Sequence, residues 1–323
     1  MQQHPQFTLT ILDPTSLLGG EVLAALRHAF PAARRKLFHT SGDGDHLIAE
    51  VRGEAMLVPP LGAADELDGS DVVVATATPS PAAAARLLPW LRTNPAVSLV
   101  DCTQPGLAPA ESLPVLCAPP PGKTERRWFH LADPALWAPG RVLQSLASLD
   151  PREVLLTVLL PVSDYGVAGV EELVRQASAR LSGRPPDRAK LLPGVLAFDA
   201  APVAAAHREA LADQVRALFP DLTAHLTAVQ VGIFHGHAAV LAVRTGAGTD
   251  AATASSLIRT SPGVRLARRN ERPQPSGAVD SDEIVCADVR YEDGWVTVWL
   301  VADSVRVGGA QVVVDIVAAV RAS

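Results

Sequence analysis

The residues of this chain best suited to metal binding or proton transfer are two histidines, His235 and His237, separated by one glycine. On a β-strand, side chains two residues apart face the same way, so the pair could supply two ligands to a metal ion. A metal site needs further ligands, and the sequence has no HExxH motif, no CxxC motif and no cluster of His, Cys and Asp at ligand spacing. The pair is therefore predicted to be structural and no metal is expected, with a metal pair as the less favoured alternative.

Cysteine is the next most reactive residue type, and the chain has three: Cys102, Cys117 and Cys286. A cysteine attacks a carbonyl only as a thiolate with a base beside it. Each of these three residues follows or lies within an apolar segment, which favours a buried, inert thiol. An odd number of cysteines in a chain of 323 residues also predicts no disulfide framework, as expected in a reducing cytoplasm.

The first part of the chain alternates between segments that are typical of strands and segments that are typical of helices. Residues 7–12, 71–77 and 96–101 are short apolar segments typical of buried parallel strands. Residues 19–30 and 81–91 have the apolar periodicity of helices. The pattern predicts an α/β fold with a doubly wound, Rossmann-like parallel sheet.

The turn between the first strand and the first helix starts with Asp13 and Pro14. Aspartate is a favoured N-cap residue and proline suits the first helical position, so we predict that the Asp13 carboxylate caps this helix. A carboxylate there would repel the phosphates of a dinucleotide by about 1 kcal/mol in water, and by more in a partly dry site. The turn therefore weighs against tight dinucleotide binding.

The second half of the chain predicts a helix and a mixed sheet. Residues 167–181 carry an apolar helical face that ends at Gly183; its members are Val170, Leu173, Val174, Ala177 and Leu181. Segments 285–289 and 295–301 flank a Glu-Asp-Gly turn and predict a β-hairpin, with further strands at 225–231 and 238–243.

Charge and hydropathy exclude several classes of partner. The formal net charge is -6 and no basic run could follow a phosphate backbone, so nucleic acid is not an expected partner. The densest basic patch, residues 265–272, is interpreted as a solvated loop beside Pro273. The longest apolar run, residues 154–162, is too short to cross a bilayer, and the first seven residues lack the pattern of a secretion signal. We therefore expect a cytoplasmic protein with no membrane association.

Four segments together resemble the aspartate-semialdehyde dehydrogenase family in the right order and at the right spacing: residues 13–23, 159–202, 230–237 and 304–320. The resemblance covers nearly the whole chain. It implies a Rossmann-like dinucleotide-binding domain in residues 1–131, completed by a C-terminal helix in 304–323. It also implies a dimerisation domain, catalytic in the family, in residues 132–303, with an α+β fold and the mixed sheet through which the family dimerises.

In the family, the cofactor NADP lies on a Gly-Ala-Thr-Gly-x-Val-Gly turn, which corresponds here to residues 13–19. The matching cofactor positions are Thr15, Leu18 and Gly19. Thr40 and Ser41 match the family segment that contacts the adenosine end. Because most of the turn's glycines are replaced, we expect no cofactor, or NADP if any.

The family's cysteine nucleophile lies in an Asn-Pro-Asn-Cys-Ser/Thr turn, and the matching segment here is Asp133-Pro134-Ala135-Leu136-Trp137. Leu136 therefore stands at the nucleophile position. His237 matches the histidine that moves protons, and Gln230 replaces the arginine that holds the substrate carboxylate, without its charge or bidentate geometry. The lysine position of the family's Glu-Lys helix is Ala210, and residues 118–121 replace its Pro-Glu-Val-Asn segment.

The simultaneous loss of nucleophile, substrate clamp and glycine turn predicts a non-catalytic homologue. We expect a homodimeric scaffold that binds an unknown protein partner or a small metabolite, with His237 as a vestige of catalysis. The alternative is an NAD(P)-dependent oxidoreductase acting on a semialdehyde-like substrate without a cysteine nucleophile, in which His237 donates or accepts the proton.

Overall fold

The computed structural model describes residues 7–41, 44–51, 53–104, 106–107, 114–116, 127–246 and 249–322. The chain divides into two compact units: unit 1, Met1–Ala132 with Gly309–Ser323, and unit 2, Asp133–Gly308. The sequence-based division assigns residues 304–308 to the first domain instead. These residues group with unit 2 because Val307 packs against its core and Gly308 lies against Trp137.

Unit 1 contains a parallel sheet of the predicted α/β class. Its elements in chain order are β1 (Thr8–Leu12), α1 (Leu17–Ala29), β2 (Arg34–Phe38), β3 (Leu47–Val51), β4 (Glu54–Val58), β5 (Val72–Ala75), α2 (Pro81–Thr93), β6 (Ser98–Asp101), β7 (Pro114–Val115) and β8 (Trp128–Leu131). Within the described residues, parallel strands pair in the order β2-β1-β5-β6-β8-β7, and β3 with β4 forms a separate antiparallel ribbon. The reversal of strand order beside β1 is that of a doubly wound sheet.

Unit 2 is built on a mixed sheet. Its elements are α3 (Pro134–Ser145), β9 (Glu153–Leu160), α4 (Gly166–Leu181), β10 (Ala200–Pro202), α5 (Ala205–Leu218), β11 (Thr223–Val231), β12 (His237–Arg244), α6 (Ala251–Thr260), β13 (Val264–Leu266), β14 (Ile284–Glu292) and β15 (Trp295–Ala302). In the described part of the chain the strand order is β10-β11-β9-β12-β15-β14-β13. The predicted hairpin of β14 and β15 is confirmed by their antiparallel register.

The two faces of the unit 2 sheet differ. One face is covered by α3, α5 and α6, whose apolar side chains pack with alternate residues of β9, β12 and β15 into a buried core. The opposite face carries Leu155, Thr157, Val240 and Thr297, and its leucine and valine remain exposed. We call this surface the open face. A flat sheet face with exposed aliphatic side chains is characteristic of an interaction surface.

The predicted helix at residues 167–181 is confirmed as α4, but its apolar face is packed only in part: Leu173 is buried in a core, and Val170 and Ala177 pack beside it. Val174 and Leu181 are exposed, whereas Glu172 and Gln176 are buried. These polar side chains face inward because they accept hydrogen bonds from backbone amides of the loop that follows α4. Glu172 accepts from the amides of residues 190–192, and Gln176 from those of residues 196 and 197.

The C-terminal segment returns to unit 1. A π-helical turn, Val305–Ala310, leads into α7 (Gln311–Arg321), which packs on α1. Gly309 lies so close to Leu18 that a β-carbon there would force the leucine side chain to move. Among the helices that the structure describes, none has the length and apolar character to cross a membrane.

Candidate functional site

The turn after β1 is folded around the Asp13 side chain. Its Oδ1 accepts a hydrogen bond from the Thr40 amide at 2.7 Å, and its Oδ2 accepts one from the Thr40 hydroxyl at 2.6 Å. Burial raises the pKa of the Asp13 carboxyl, and the Thr40 hydrogen bonds offset this only in part. The predicted N-cap role of Asp13 is wrong: α1 begins at Leu17, and Ser16 caps it by accepting the Gly19 amide at 2.9 Å.

The remaining predicted cofactor positions lie around the same turn. Thr15 is exposed, Leu18 is half-buried beneath α7, and Gly19 is buried where a β-carbon would collide with the Asp13 carbonyl. Ser41 is exposed, and its hydroxyl bonds to the Nδ1 of His39 at 2.8 Å. The polar groups of Thr40, the best placed of the set for a ligand, are thus occupied by the protein's own carboxylate.

The position that matches the nucleophile is part of a hydrophobic core. Leu136 is only 1% exposed and packs in the unit 2 core beneath the sheet. It lies in the first turn of α3, which Asp133 caps by accepting the Ala135 amide at 2.9 Å. In the family that this sequence resembles, the start of this helix bears the reactive cysteine. In this chain it bears a leucine that faces the core.

The described cysteines are buried thiols. Cys102 is buried after β6, where desolvation and the neighbouring Asp101 carboxylate raise its pKa well above the ordinary value. Cys286 is fully buried in the unit 2 core, and burial raises its pKa to about 12. Cys117 lies outside the described residues. Neither described thiol is in the low-pKa, accessible state that a nucleophile requires.

His237 forms a buried pair with Asp164. Its Nε2 lies 3.2 Å from each carboxylate oxygen of Asp164, and the imidazole is almost fully buried at the start of β12. Burial alone would lower the pKa of His237, but Asp164, aided by Asp133 and Asp303, outweighs it and raises the pKa. The pair can therefore hold a proton near neutral pH.

A second imidazole–carboxylate pair joins His207 of α5 to Asp133 at the start of α3 and was not among the sequence-based site residues. The Nε2 of His207 is 3.9 Å from an Asp133 oxygen. That carboxylate raises the pKa of His207, with a further contribution from Asp164 and against the effect of burial. Gln214, two helical turns further along α5, accepts the Asp133 amide at 2.7 Å. The seven-residue spacing of His207 and Gln214, which places both on one helical face, was the available sequence signal.

Gln230, the predicted substrate-binding residue, is buried and used by the backbone. Its side-chain amide donates to the carbonyls of Leu160 and Pro161 at 2.8 and 2.9 Å. Both donor hydrogens are thereby engaged where β9 ends, which leaves only the Oε1 acceptor for a ligand.

The expectation that His235 and His237 share a strand face is wrong. β12 begins at His237, and Gly236 before it has a left-handed φ of 87° that breaks the alternation. A β-carbon at Gly236 would also collide with the Pro275 carbonyl. Across the described ranges, no group of three or more His, Cys, Asp or Glu side chains is arranged to hold a metal ion.

Comparison with known proteins finds the semialdehyde dehydrogenase dimerisation domain over residues 143–307. The chain is similar to USG-1 protein homologs of Pseudomonas aeruginosa, at 29% identity over 51% of this chain and 53% of that protein, and Azotobacter vinelandii, at 31% over 51% and 54%. Aspartate-semialdehyde dehydrogenase 2 of Vibrio cholerae is 27% identical over 54% and 58%. The matches span about half the length of these curated relatives.

Solved structures share the fold over almost the entire chain. Aspartate semialdehyde dehydrogenase II from Vibrio cholerae, complexed with ASA, superposes with a TM-score of 0.83 at 21% identity, covering 98% of this chain and 99% of that one. The Candida albicans enzyme with NADP gives a TM-score of 0.70 at 11% identity, covering 98% and 100%. The predicted fold class, a Rossmann-like unit with a mixed-sheet unit, is confirmed.

Proposed function

This chain belongs to the semialdehyde dehydrogenase family, and on that premise we propose that it is a non-catalytic member, a homodimeric scaffold that binds a metabolite or protein partner. One observation carries the proposal. Leu136, at the position matching the nucleophile, is buried in the unit 2 core. Loss of a covalent nucleophile typically lowers turnover by about a thousandfold or more even when the substrate still binds.

The side chain at the position of the family's substrate-binding arginine and the described cysteines support the same proposal. Gln230 carries no charge, and its donors are engaged by Leu160 and Pro161, so a substrate carboxylate has no guanidinium to bind. The described cysteines are desolvated thiols with raised pKa values. Holding a semialdehyde in attack geometry would therefore require groups other than those of the family.

The Asp13–Thr40 contact supports weak or absent dinucleotide binding. The ionised carboxylate lies in the turn before α1, where the family places phosphates, and it already uses the amide and hydroxyl of Thr40. A phosphate would meet a negative charge and would have to displace two short hydrogen bonds.

The open face supports the homodimer. Residues 143–307 match a dimerisation domain, and the open face presents exposed Leu155 and Val240 among threonines. Exposed aliphatic side chains among threonines are suited to burial against an identical copy, as in an isologous interface.

The buried His237–Asp164 pair favours a second candidate, an NAD(P)-dependent oxidoreductase without a cysteine nucleophile. An imidazole with a raised pKa, held by a carboxylate, can donate or accept the proton that accompanies hydride transfer. Calorimetric titration with NADP and with NAD separates the two candidates: no binding at millimolar cofactor removes the oxidoreductase, and tight binding of either removes the non-catalytic proposal.

Activity measurements on a nucleophile-restoring variant test the proposal directly. We expect no phosphate-dependent oxidation of aspartate semialdehyde by the native chain, and none by Leu136→Cys, because the new thiol would lie in the core without a substrate clamp. Leu143→Cys, on the same helix and equally buried, is the matched control for introducing a thiol. Family-like turnover in Leu136→Cys but not in Leu143→Cys would contradict the proposal, as would native turnover that Cys102→Ser abolishes.

A further inference from the structure

The basic segment at residues 265–272 is largely an exposed loop, as expected from the sequence, but hydrogen bonds also hold it in a defined conformation. It is folded around Glu271, whose two oxygens each accept a hydrogen bond from Arg265 at 2.8 Å and which also accepts the Arg268 amide at 2.9 Å. These bonds lower the pKa of Glu271 to about 2. The indole of Trp299 donates to the Pro273 carbonyl at 2.9 Å and ties the end of the segment to β15.

The folded segment forms one wall of a cleft of about 750 Å³. Arg268, Arg269 and Arg272 line this wall, and Arg290 of β14 lines the cleft from another element. The apolar part of its lining includes Val240 and Trp299 of the sheet. A cleft of this size, with an apolar surface and a few convergent polar groups, matches the dimensions of small-molecule sites.

The arginines that line this cleft, and Arg265 beside it, are unequally neutralised. Arg265 is paired with Glu271 and Glu283, and Arg290 lies 3.2 Å from Asp288. The side chains of Arg268 and Arg269 make no hydrogen bond or ion pair with any residue that the structure describes. The cleft is thus locally positive in a chain whose formal net charge is -6.

The β14 wall is distorted at the same place. The register with β15 shifts between Ala287 and Arg290, and Asp288 adopts a left-handed φ of 53°. A bulge bends a strand and redirects its side chains, and non-glycine residues in this conformation concentrate at ligand sites. The bulge places Asp288 and Arg290 together at the cleft.

We propose that this arginine cleft binds a small organic anion carrying at least two phosphate or carboxylate groups. The unpaired guanidiniums of Arg268 and Arg269 are suited to bind such oxygens in a bidentate manner, and Val240 with Trp299 accommodates the nonpolar part of the ligand. Val240 and Thr297 belong to the open face, so a second copy would close the cleft on that side.

The proposal names a ligand class for the metabolite-binding role and rests on the proposed function only for the dimer that closes the cleft. No residue that lines the arginine cleft belongs to the His237–Asp164 pair or to the turn around Asp13. Binding in the cleft and catalysis elsewhere can therefore be tested separately.

Calorimetric titration of the full-length native protein with pyrophosphate, citrate and ATP tests the site. We expect at least one to bind in the micromolar range and more weakly at high salt. The exposed, cleft-lining pair is removed in the double variant Arg268→Gln with Arg269→Gln, which should weaken binding at least about tenfold. Arg259→Gln changes an equally exposed arginine on α6 outside the cleft and should bind as the native protein does.

The probes also distinguish the anion source. Pyrophosphate binding without citrate binding identifies a phosphate ligand, the converse identifies a polycarboxylate, and tighter binding of ATP than pyrophosphate shows that the apolar surface contributes. Binding of none of the three, or equal binding by the double variant with its circular dichroism unchanged, overturns the proposal. NADP binding that survives the double variant would instead place the cofactor elsewhere and count against the proposed non-catalytic function.

Discussion

Asp13 adopts a left-handed backbone conformation, with a φ of 58°, while its carboxylate holds the amide and hydroxyl of Thr40. Aspartate and asparagine tolerate this conformation better than most residues do. Thr40 is buried, so removal of the carboxylate would leave its two polar groups without a partner. One side chain therefore both shapes the turn after β1 and fills the space beside α1.

We predict that Asp13→Ala lowers the free energy of unfolding by about 2–4 kcal/mol, through two lost hydrogen bonds and the cost of alanine in a left-handed conformation. Asp13→Gly should lose less, because glycine accepts the conformation. Asp13→Asn tolerates the same backbone conformation and keeps an oxygen that can accept the Thr40 amide, so it should lose less stability than Asp13→Ala. Urea denaturation of the three variants measures the series. Equal stability of the alanine and asparagine variants would show that the Thr40 contact contributes little.

The His237–Asp164 pair predicts a stability that depends on pH. The pKa of His237 is raised above 6.5 in the folded chain, so its contribution to stability is complete below pH 6.5 and is lost as the pH rises through the folded value. The free energy of unfolding should therefore fall as the pH rises above 6.5, and Asp164→Asn should flatten this decline. His207 shares the direction of the effect; its main partner, Asp133, is unchanged in that variant, but the smaller contribution of Asp164 to its raised pKa is lost.

His225→Gln is the control for the pH measurement, because His225 is exposed on β11. It should leave the pH profile of urea denaturation unchanged. A decline of native steepness in Asp164→Asn would mean that the pair does not govern the protonation of His237.

At the scale of elements, α4 organises the loop that follows it. Glu172 accepts hydrogen bonds from the amides of Lys190, Leu191 and Leu192 at 3.0–3.4 Å. The buried carboxylate thus takes the place of the backbone carbonyls that would accept these bonds in a helix or a sheet. Buried backbone donors need such partners, which explains why a charged residue occupies the inner face of an amphipathic helix.

We predict that Glu172→Ala lowers the free energy of unfolding by about 2–4 kcal/mol, because three backbone amides, one in a buried and two in partly buried hydrogen bonds, lose their acceptor. Glu172→Gln keeps one acceptor oxygen and should lose less. Glu171→Ala, at the adjacent exposed position with only a distant ion pair to Arg175, should change stability by less than about 0.5 kcal/mol. Thermal denaturation ranks the three variants, and a loss in Glu171→Ala as large as that in Glu172→Ala would refute this role.

At the scale of the whole molecule, the open face should control assembly. The double variant Leu155→Asp with Val240→Asp would bury two charges in the proposed homodimer interface, so we expect a monomer by size-exclusion chromatography with light scattering. The matched control, Ile48→Asp with Leu57→Asp, changes an even more exposed apolar pair on the unit 1 ribbon and should leave the dimer intact. A dimer that survives the first change and dissociates with the second would place the interface on unit 1.

The sequence by itself determined the elements and the family. Apolar periodicity is a local property, so it located the strands and helices, and the Glu292-Asp293-Gly294 turn located the β14–β15 hairpin. Motif order and spacing also predict that Leu136 stands at the family's nucleophile position. A leucine at that position excludes a thiolate without any knowledge of its surroundings.

Only the tertiary structure decided which side chains meet. Asp13 was expected to cap its own helix, but Thr40 lies within reach because β2 pairs with β1. His207 meets Asp133 only after α5 packs beside α3, and the amides that draw Glu172 inward belong to a loop with no periodicity. Each contact joins positions far apart in the chain. Its geometry depends on how intervening elements pack, and local patterns of residues carry no information about that packing.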